Sequence, residues 1–132
     1  MLLIGVQNPI DQDIVADGII ATGNVYRKYD KPNDCGVLAF SNTSTGITLH
    51  RKGIYHITAN FYPTAAFAGT IQMLENGTPV TEAAANGENL TIDYYIVVDP
   101  NCGWTTNAKT ITFTSDTAAT LENVVVNVTK EV

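Results

Sequence analysis

Two stretches of this chain place an apolar side chain on every second residue, and that pattern constrains the fold most. In residues 53–61, Tyr55, Ile57, Ala59 and Phe61 fall on every second position, with His56, Thr58 and Asn60 between them. In residues 90–99, Leu90, Ile92, Tyr94, Ile96 and Val98 do the same. Side chains of an extended strand point alternately to opposite faces, whereas a helix brings a face round every 3.6 residues or so. Only a strand therefore gathers these apolar groups on one side. Residues 110–114 and 123–129 repeat the pattern, the latter with Val124, Val126 and Val128 in phase.

Turn signals separate these runs. Asn76-Gly77 sits between residues 70–75 and 78–80 and predicts a hairpin, because both central positions tolerate positive φ. Asp99-Pro100-Asn101-Cys102-Gly103 predicts a loop, since proline cannot donate to a ladder and glycine permits a tight bend. Shorter strands are expected within 19–26, 37–40 and 47–49. Residues 79–87, with their Ala83-Ala84-Ala85 run, are the one place where a helical turn is expected. The sum is about eight strands with frequent turns, an all-β sandwich or jelly roll. Residues 1–12 are expected to form an N-terminal docking segment or first strand, and residues 13–132 a single domain.

Composition excludes several functions. The 132 residues are 45% hydrophobic and 15% charged, too apolar for a disordered chain. A net charge of -6 argues against nucleic acid, whose phosphates demand a basic patch; the adjacent basic pairs are Arg27-Lys28 and Arg51-Lys52 alone. No apolar run approaches the ~20 residues of a membrane span, and the apolar start 1–6 lacks the basic flank of a signal peptide. Membrane insertion is not expected. Cys35 and Cys102 are too few for a disulfide framework, and reduced thiols are expected over a bridge between them.

Catalytic signals are weak. His50 and His56 flank Gly53 near the start of one strand, where they do not converge with a third metal ligand. There is no Gly-x-Ser-x-Gly elbow. Asp93 and Asp99 lie about 20 Å apart along one strand, too far for a glycosidase pair. Asp11, Asp13 and Asp17 lack the glycine and the distal glutamate of an EF-hand loop and are read as a solvated acidic loop. The expectation is no enzyme, no cofactor and no metal.

Gly46-Ile47-Thr48-Leu49, then Gly53-Ile54-Tyr55 opening an alternating strand, then Leu74-Glu75-Asn76-Gly77-Thr78-Pro79-Val80 resemble the central block of the C1q/tumour-necrosis-factor-like jelly roll. The block spans about a quarter of the chain. The later sequence departs from the animal members. Its Thr91-Ile92-Asp93-Tyr94-Tyr95 strand, Pro/Cys loop and Thr/Val-rich last strand instead resemble short jelly-roll proteins of bacteriophages and prophages. That resemblance implies a homotrimer. It also implies a virion accessory role, as a head fibre, decoration protein or receptor-binding tip, in a particle made in the bacterial cytoplasm. The partners it implies are further copies of the chain, capsid or other virion proteins, and a host-surface glycan.

Tyr95 and Val97 are apolar on the strand face opposite Leu90, Ile92, Tyr94, Ile96 and Val98, and a strand apolar on both faces needs cover on both. Tyr95 and Val97, with Tyr55 and Phe61, are therefore expected at a subunit contact. Cover by loops of the same subunit is the alternative. Trp104, the only tryptophan, and the neighbouring Asn101 are candidates for ligand contact, since a loop indole stacks on sugars or fills a partner's pocket; capping the sandwich is the equal alternative. Leu2, Leu3 and Ile4 are expected to dock by adding a strand to another sheet edge. Alternative functions are a free carbohydrate-binding module or a C1q-like signalling ligand.

Overall fold

A computed structural model describes residues 1–99 and 107–132. Eleven strands form among them: β1 Leu2–Asn8, β2 Gln12–Ile14, β3 Asn24–Tyr29, β4 Phe40–Asn42, β5 Ile47–Leu49, β6 Gly53–Pro63, β7 Thr70–Glu75, β8 Thr78–Asn86, β9 Thr91–Val98, β10 Lys109–Ser115 and β11 Ala119–Lys130. No helix occurs among the described residues. The first sheet runs β3-β1-β11-β6-β9, with β2 also on β11; the second runs β4-β5-β10-β7-β8. Every strand pair is antiparallel. From β3 onward the chain passes repeatedly between the sheets, so each layer closes over the other and the two inner faces share one core. The architecture is an antiparallel β-sandwich of jelly-roll form.

The alternating stretches behave as their period requires. Tyr55, Ile57, Ala59 and Phe61 of β6 point inward and are buried, as are Ile92, Ile96 and Val98 of β9 and Val124, Val126 and Val128 of β11. Across the sandwich they meet Phe40, Ile71, Met73, Ile111 and Phe113. Phe61 and Phe113 pack edge-to-face with centroids 5.3 Å apart, and Phe40 meets Tyr55 at 5.7 Å. Such pairs add to the stabilisation from area burial alone. The hydroxyl of Tyr55 donates to the Arg51 carbonyl at 2.6 Å, so burial leaves no orphaned phenol. Burial still disfavours the phenolate and pushes the Tyr55 pKa up to about 12.

The Asn76-Gly77 turn forms as expected, with φ of 50° and 81°. It is also pinned to β10: the Asn76 side-chain oxygen accepts the Thr110 N–H at 2.8 Å, and the Asn76 N–H donates to the Thr110 carbonyl at 2.9 Å.

The helical turn expected in 79–87 is replaced by β8. Ala83 and Ala85 are buried while Ala84 is exposed, a two-residue alternation that an all-alanine run conceals. Pairing with β7 overrides the helix preference of alanine: Ile71 faces Ala85 and Gln72 faces Ala84. Where β7 bulges, the Gln72 amide donates to the carbonyls of Met73 at 2.9 Å and Ala83 at 3.2 Å, and also to that of Val80.

Two short strands are displaced from their expected places. Residues 19–23 yield only a bridge from Ile19 to Thr114, while 24–26 open β3, which runs on to Tyr29. The chain bends at Gly23, whose φ is 86° and where a Cβ would stand 2.0 Å from the Gln7 carbonyl oxygen. Val37 and Leu38 are exposed, and β4 starts at Phe40, where the Asp30 carboxylate takes the Ala39 and Phe40 N–H groups at 3.0 and 2.9 Å.

Residues 2–8 are an interior strand. β1 pairs with β11 along its whole length on one edge and with β3 on the other, and Ile4 is fully buried. The expectation that Leu2, Leu3 and Ile4 extend another subunit's sheet is thereby corrected, because neither edge of β1 is free. Leu2 packs against the core, and Leu3 faces outward between Thr129 and Tyr29.

Candidate functional site

The outward faces of the two sheets differ in chemistry. On the second sheet, Ser41, Thr48, Thr110, Thr112 and Thr114 alternate with core residues, and the Thr48 and Thr110 hydroxyls hydrogen-bond at 2.9 Å. This is a water-facing surface. The first sheet differs: every large hydrophobic side chain that is exposed within a strand belongs to it, namely Val25, Tyr26, Tyr29, Ile54, Tyr62, Tyr95 and Val97.

Register arranges the outward groups in rows across the strands. Val97 of β9 lies opposite Ile54 of β6. The next row runs from Tyr95 through His56 and Thr129 to Leu3 and Tyr29. A third row joins Asp93, Thr58, Asn127, Gly5 and Arg27. Tyr95 is 56% exposed and Val97 52%, high for large apolar groups in mid-strand.

The centre of this face is ordered by its own contacts. The His56 ring stacks on Tyr95, its Nε2 is paired with the Asp93 carboxylate, and its Nδ1 lies 3.9 Å from the Glu131 carboxylate. Thr91 donates its hydroxyl to Asn60 at 2.8 Å. Toward the other edge, the Asn127 side-chain oxygen accepts the Tyr26 hydroxyl at 2.7 Å and Arg27 Nε and Nη2 at 3.0 and 2.8 Å. Gly5 makes room for this cluster. A Cβ there would fall 2.6 Å from the Asn127 oxygen and 2.8 Å from the Tyr26 ring. The face is thus a fixed array of aromatic, aliphatic and polar groups suited to contact with another surface.

The other sequence candidates are dispersed. Tyr55 and Phe61 point into the core, 0% and 3% exposed, so they do not line a surface. On β6 the outward-facing positions are instead their neighbours Ile54, His56 and Tyr62. The period of two had already set Tyr55 and Phe61 beside Ile57 and Ala59, and one strand face cannot be both core and contact. His50 hydrogen-bonds Ser41 at 2.7 Å on the second sheet, away from His56. Among the described residues no three His, Cys, Asp or Glu side chains gather as a metal site. Cys35 is exposed. Asn101, Cys102 and Trp104 lie outside the described residues.

The fold just described is that of the C1q/tumour-necrosis-factor-like jelly roll. The PRD1 vertex protein P5 superimposes with a TM-score of 0.64 at 14% identity, over 98% of this chain and 73% of that one. Rabbit GITRL gives 0.62 at 10% identity, over 100% and 95% of the two chains. The globular domain of zebrafish complement 1qA gives 0.60 at 10% identity, over 100% and 98%. At these identities the likeness is one of fold. No protein-family model matches the sequence, and no curated protein matches it.

Proposed function

We propose that this chain is a non-enzymatic structural protein of a virion, a capsid decoration or head-fibre subunit that assembles as a homotrimer through the outward face of its first sheet. The observation that carries the assembly is the inequality of the two faces. Exposed Ile54, Tyr95 and Val97 cluster on one sheet, with Tyr62 farther along the same face, while the other sheet presents threonines. Leaving such groups in water forfeits roughly 25 cal/mol for each Å² that contact would bury. Neighbouring copies around a three-fold axis supply that cover, each face meeting the adjacent subunit, and the resemblance to C1q-like proteins supports three copies. The likeness to a vertex protein supports the virion setting.

Light scattering on the purified chain tests the assembly. The expected mass is three times the 14.2 kDa of one chain; a monomer at micromolar concentration overturns it. Mass spectrometry of purified particles tests the setting. Peptides of this chain are expected at stoichiometric levels, and their absence overturns the virion role.

A further inference from the structure

The charges of this protein are sorted along its strands. At the end where β1 and β6 begin and β11 and β9 finish lie Lys28, Lys31, Arg51, Lys52, Lys109 and Lys130. Asp11, Asp13, Asp17, Glu88, Asp116 and Glu122 occupy the opposite end, with no lysine or arginine among them. Lys109 pairs with Glu75 at 2.7 Å. Among the described residues, none of Lys31, Arg51, Lys52 and Lys130 makes an ion pair with a side-chain carboxylate. A chain of net charge -6 thus holds four cations together at one end, where Asp30, Asp99 and Glu131 are the acidic side chains near them.

Two of these cations are held in place. The Arg51 Nη1 donates to the Lys31 carbonyl at 2.9 Å, and the Arg51 carbonyl receives the Tyr55 hydroxyl. The Lys130 ammonium lies 5.9 Å from the centre of the Tyr55 ring and bonds the Val132 carbonyl. It passes over Gly53, where a Cβ would come within 2.8 Å of Nζ. Burial, then Arg51 and Lys52, hold the Lys130 pKa below that of an ordinary lysine, so the cations repel one another where they stand. Lys31, Arg51 and Lys130 line a cleft of about 310 Å³ with Leu2, Pro32 and Glu131. Lys130 and Lys52 share the adjoining apolar depression against Ile54 and Val97. The cleft's one acidic side chain, Glu131, also faces His56 at 3.9 Å.

We infer that this cleft binds a phosphate group, with the Arg51 guanidinium and Lys130 ammonium as direct donors and Lys31 and Lys52 as flanking charges. Guanidinium donors fit two phosphate oxygens side by side, and an ammonium supplies a third contact as a point charge. A dianion matches a cleft lined by three cationic side chains and one acidic one better than a single carboxylate ligand does. The inference requires neither the trimer nor the virion role, since Lys31, Arg51 and Lys130 line the cleft at the end of the sandwich; only its Lys52 flank borders Ile54 and Val97 of the sheet face.

Titration of the full chain, in its native assembly, with inorganic phosphate, glucose 6-phosphate and glucose tests it, read by backbone amide shifts. The expected result is saturable shifts at Arg51, Lys52 and Lys130 with the two phosphates and none with glucose. Equal affinity for both phosphates identifies a free anion as the ligand; tighter binding of glucose 6-phosphate identifies a phosphorylated sugar. Arg51→Gln and Lys130→Gln are each expected to weaken binding on the order of tenfold or more, as loss of a charge-assisted contact does. Lys31→Gln, at an exposed side chain, provides a variant that leaves packing alone and is expected to weaken binding severalfold. Glu122→Gln at the far end is expected to leave binding unchanged. Absence of saturable shifts, or affinity unaltered in the Lys31 and Lys130 variants, overturns the inference.

Discussion

The imidazole of His56 lies flat on the phenol ring of Tyr95, with centroids 4.4 Å apart and planes 10° from parallel. The two residues face each other across the β6–β9 pair, and Asp93 holds the imidazole from its other side. The stack fixes an aromatic ring that is more than half exposed, which lowers the entropy lost when a second surface covers it. Tyr95→Ser is therefore expected to cost the subunit contact about 2 kcal/mol or more, the range of a central aromatic anchor. Light scattering across a dilution series should show the variant dissociating at higher concentration than the parent. Tyr95→Phe, which keeps the stack, should not.

Phe113 is fully packed between the sheets and meets Phe61 edge-on. Truncation to alanine removes the ring and leaves a cavity that rigid strands on either side cannot fill. Phe113→Ala is expected to lower stability by about 3–5 kcal/mol. Urea unfolding of parent and variant under the same assembly conditions measures this directly.

Tyr55 links the core to alkaline behaviour. Its phenol pKa is raised from 10.0 to about 12, mainly by burial. A raised folded pKa means that the folded state favours the proton. The associated stability is complete below about pH 10 and is lost as pH rises through about 12. Absorbance at the phenolate band should show one tyrosine ionising late, together with unfolding. Tyr55→Phe should abolish that late step and flatten the alkaline loss of stability.

Asp116 acts on the acid side. Its carboxylate accepts the Thr70 N–H at 2.8 Å and the Thr117 hydroxyl at 2.9 Å, and these bonds hold its pKa below the usual value. A depressed folded pKa contributes stability above the ordinary carboxylate range, and that contribution fades as pH falls through the folded value. Thermal unfolding from pH 7 down to acid should show a shallower decline for Asp116→Asn than for the parent.

What could be read from the sequence was local. The period of two placed Tyr55, Ile57, Val124 and Val126 on shared faces, and Asn76-Gly77 announced its hairpin, because both signals depend only on neighbours along the chain. Alternation is blind where every residue is alike, so Ala83-Ala84-Ala85 concealed a strand until β7 was beside it. The exposed Tyr95 and Val97 were legible as out of phase, yet Tyr55 and Phe61 were drawn into the same contact although their own phase put them inside. Of the cation cluster the sequence shows only the Arg51-Lys52 pair. Lys31, Arg51 and Lys130 are far apart in the chain, and only the sheet order brings them to one end.

The pairing of Leu2 with Lys130 makes the order of synthesis matter. β11 is the strand that joins β1 to β6, so until it leaves the ribosome the first sheet exists only as two separate fragments, β3-β1 and β6-β9. Contacts of such wide sequence separation form slowly, because the intervening chain must be confined before any of them can stabilise it. Nascent chains therefore carry unpaired strand edges through most of translation. Completion of the first sheet must await β11.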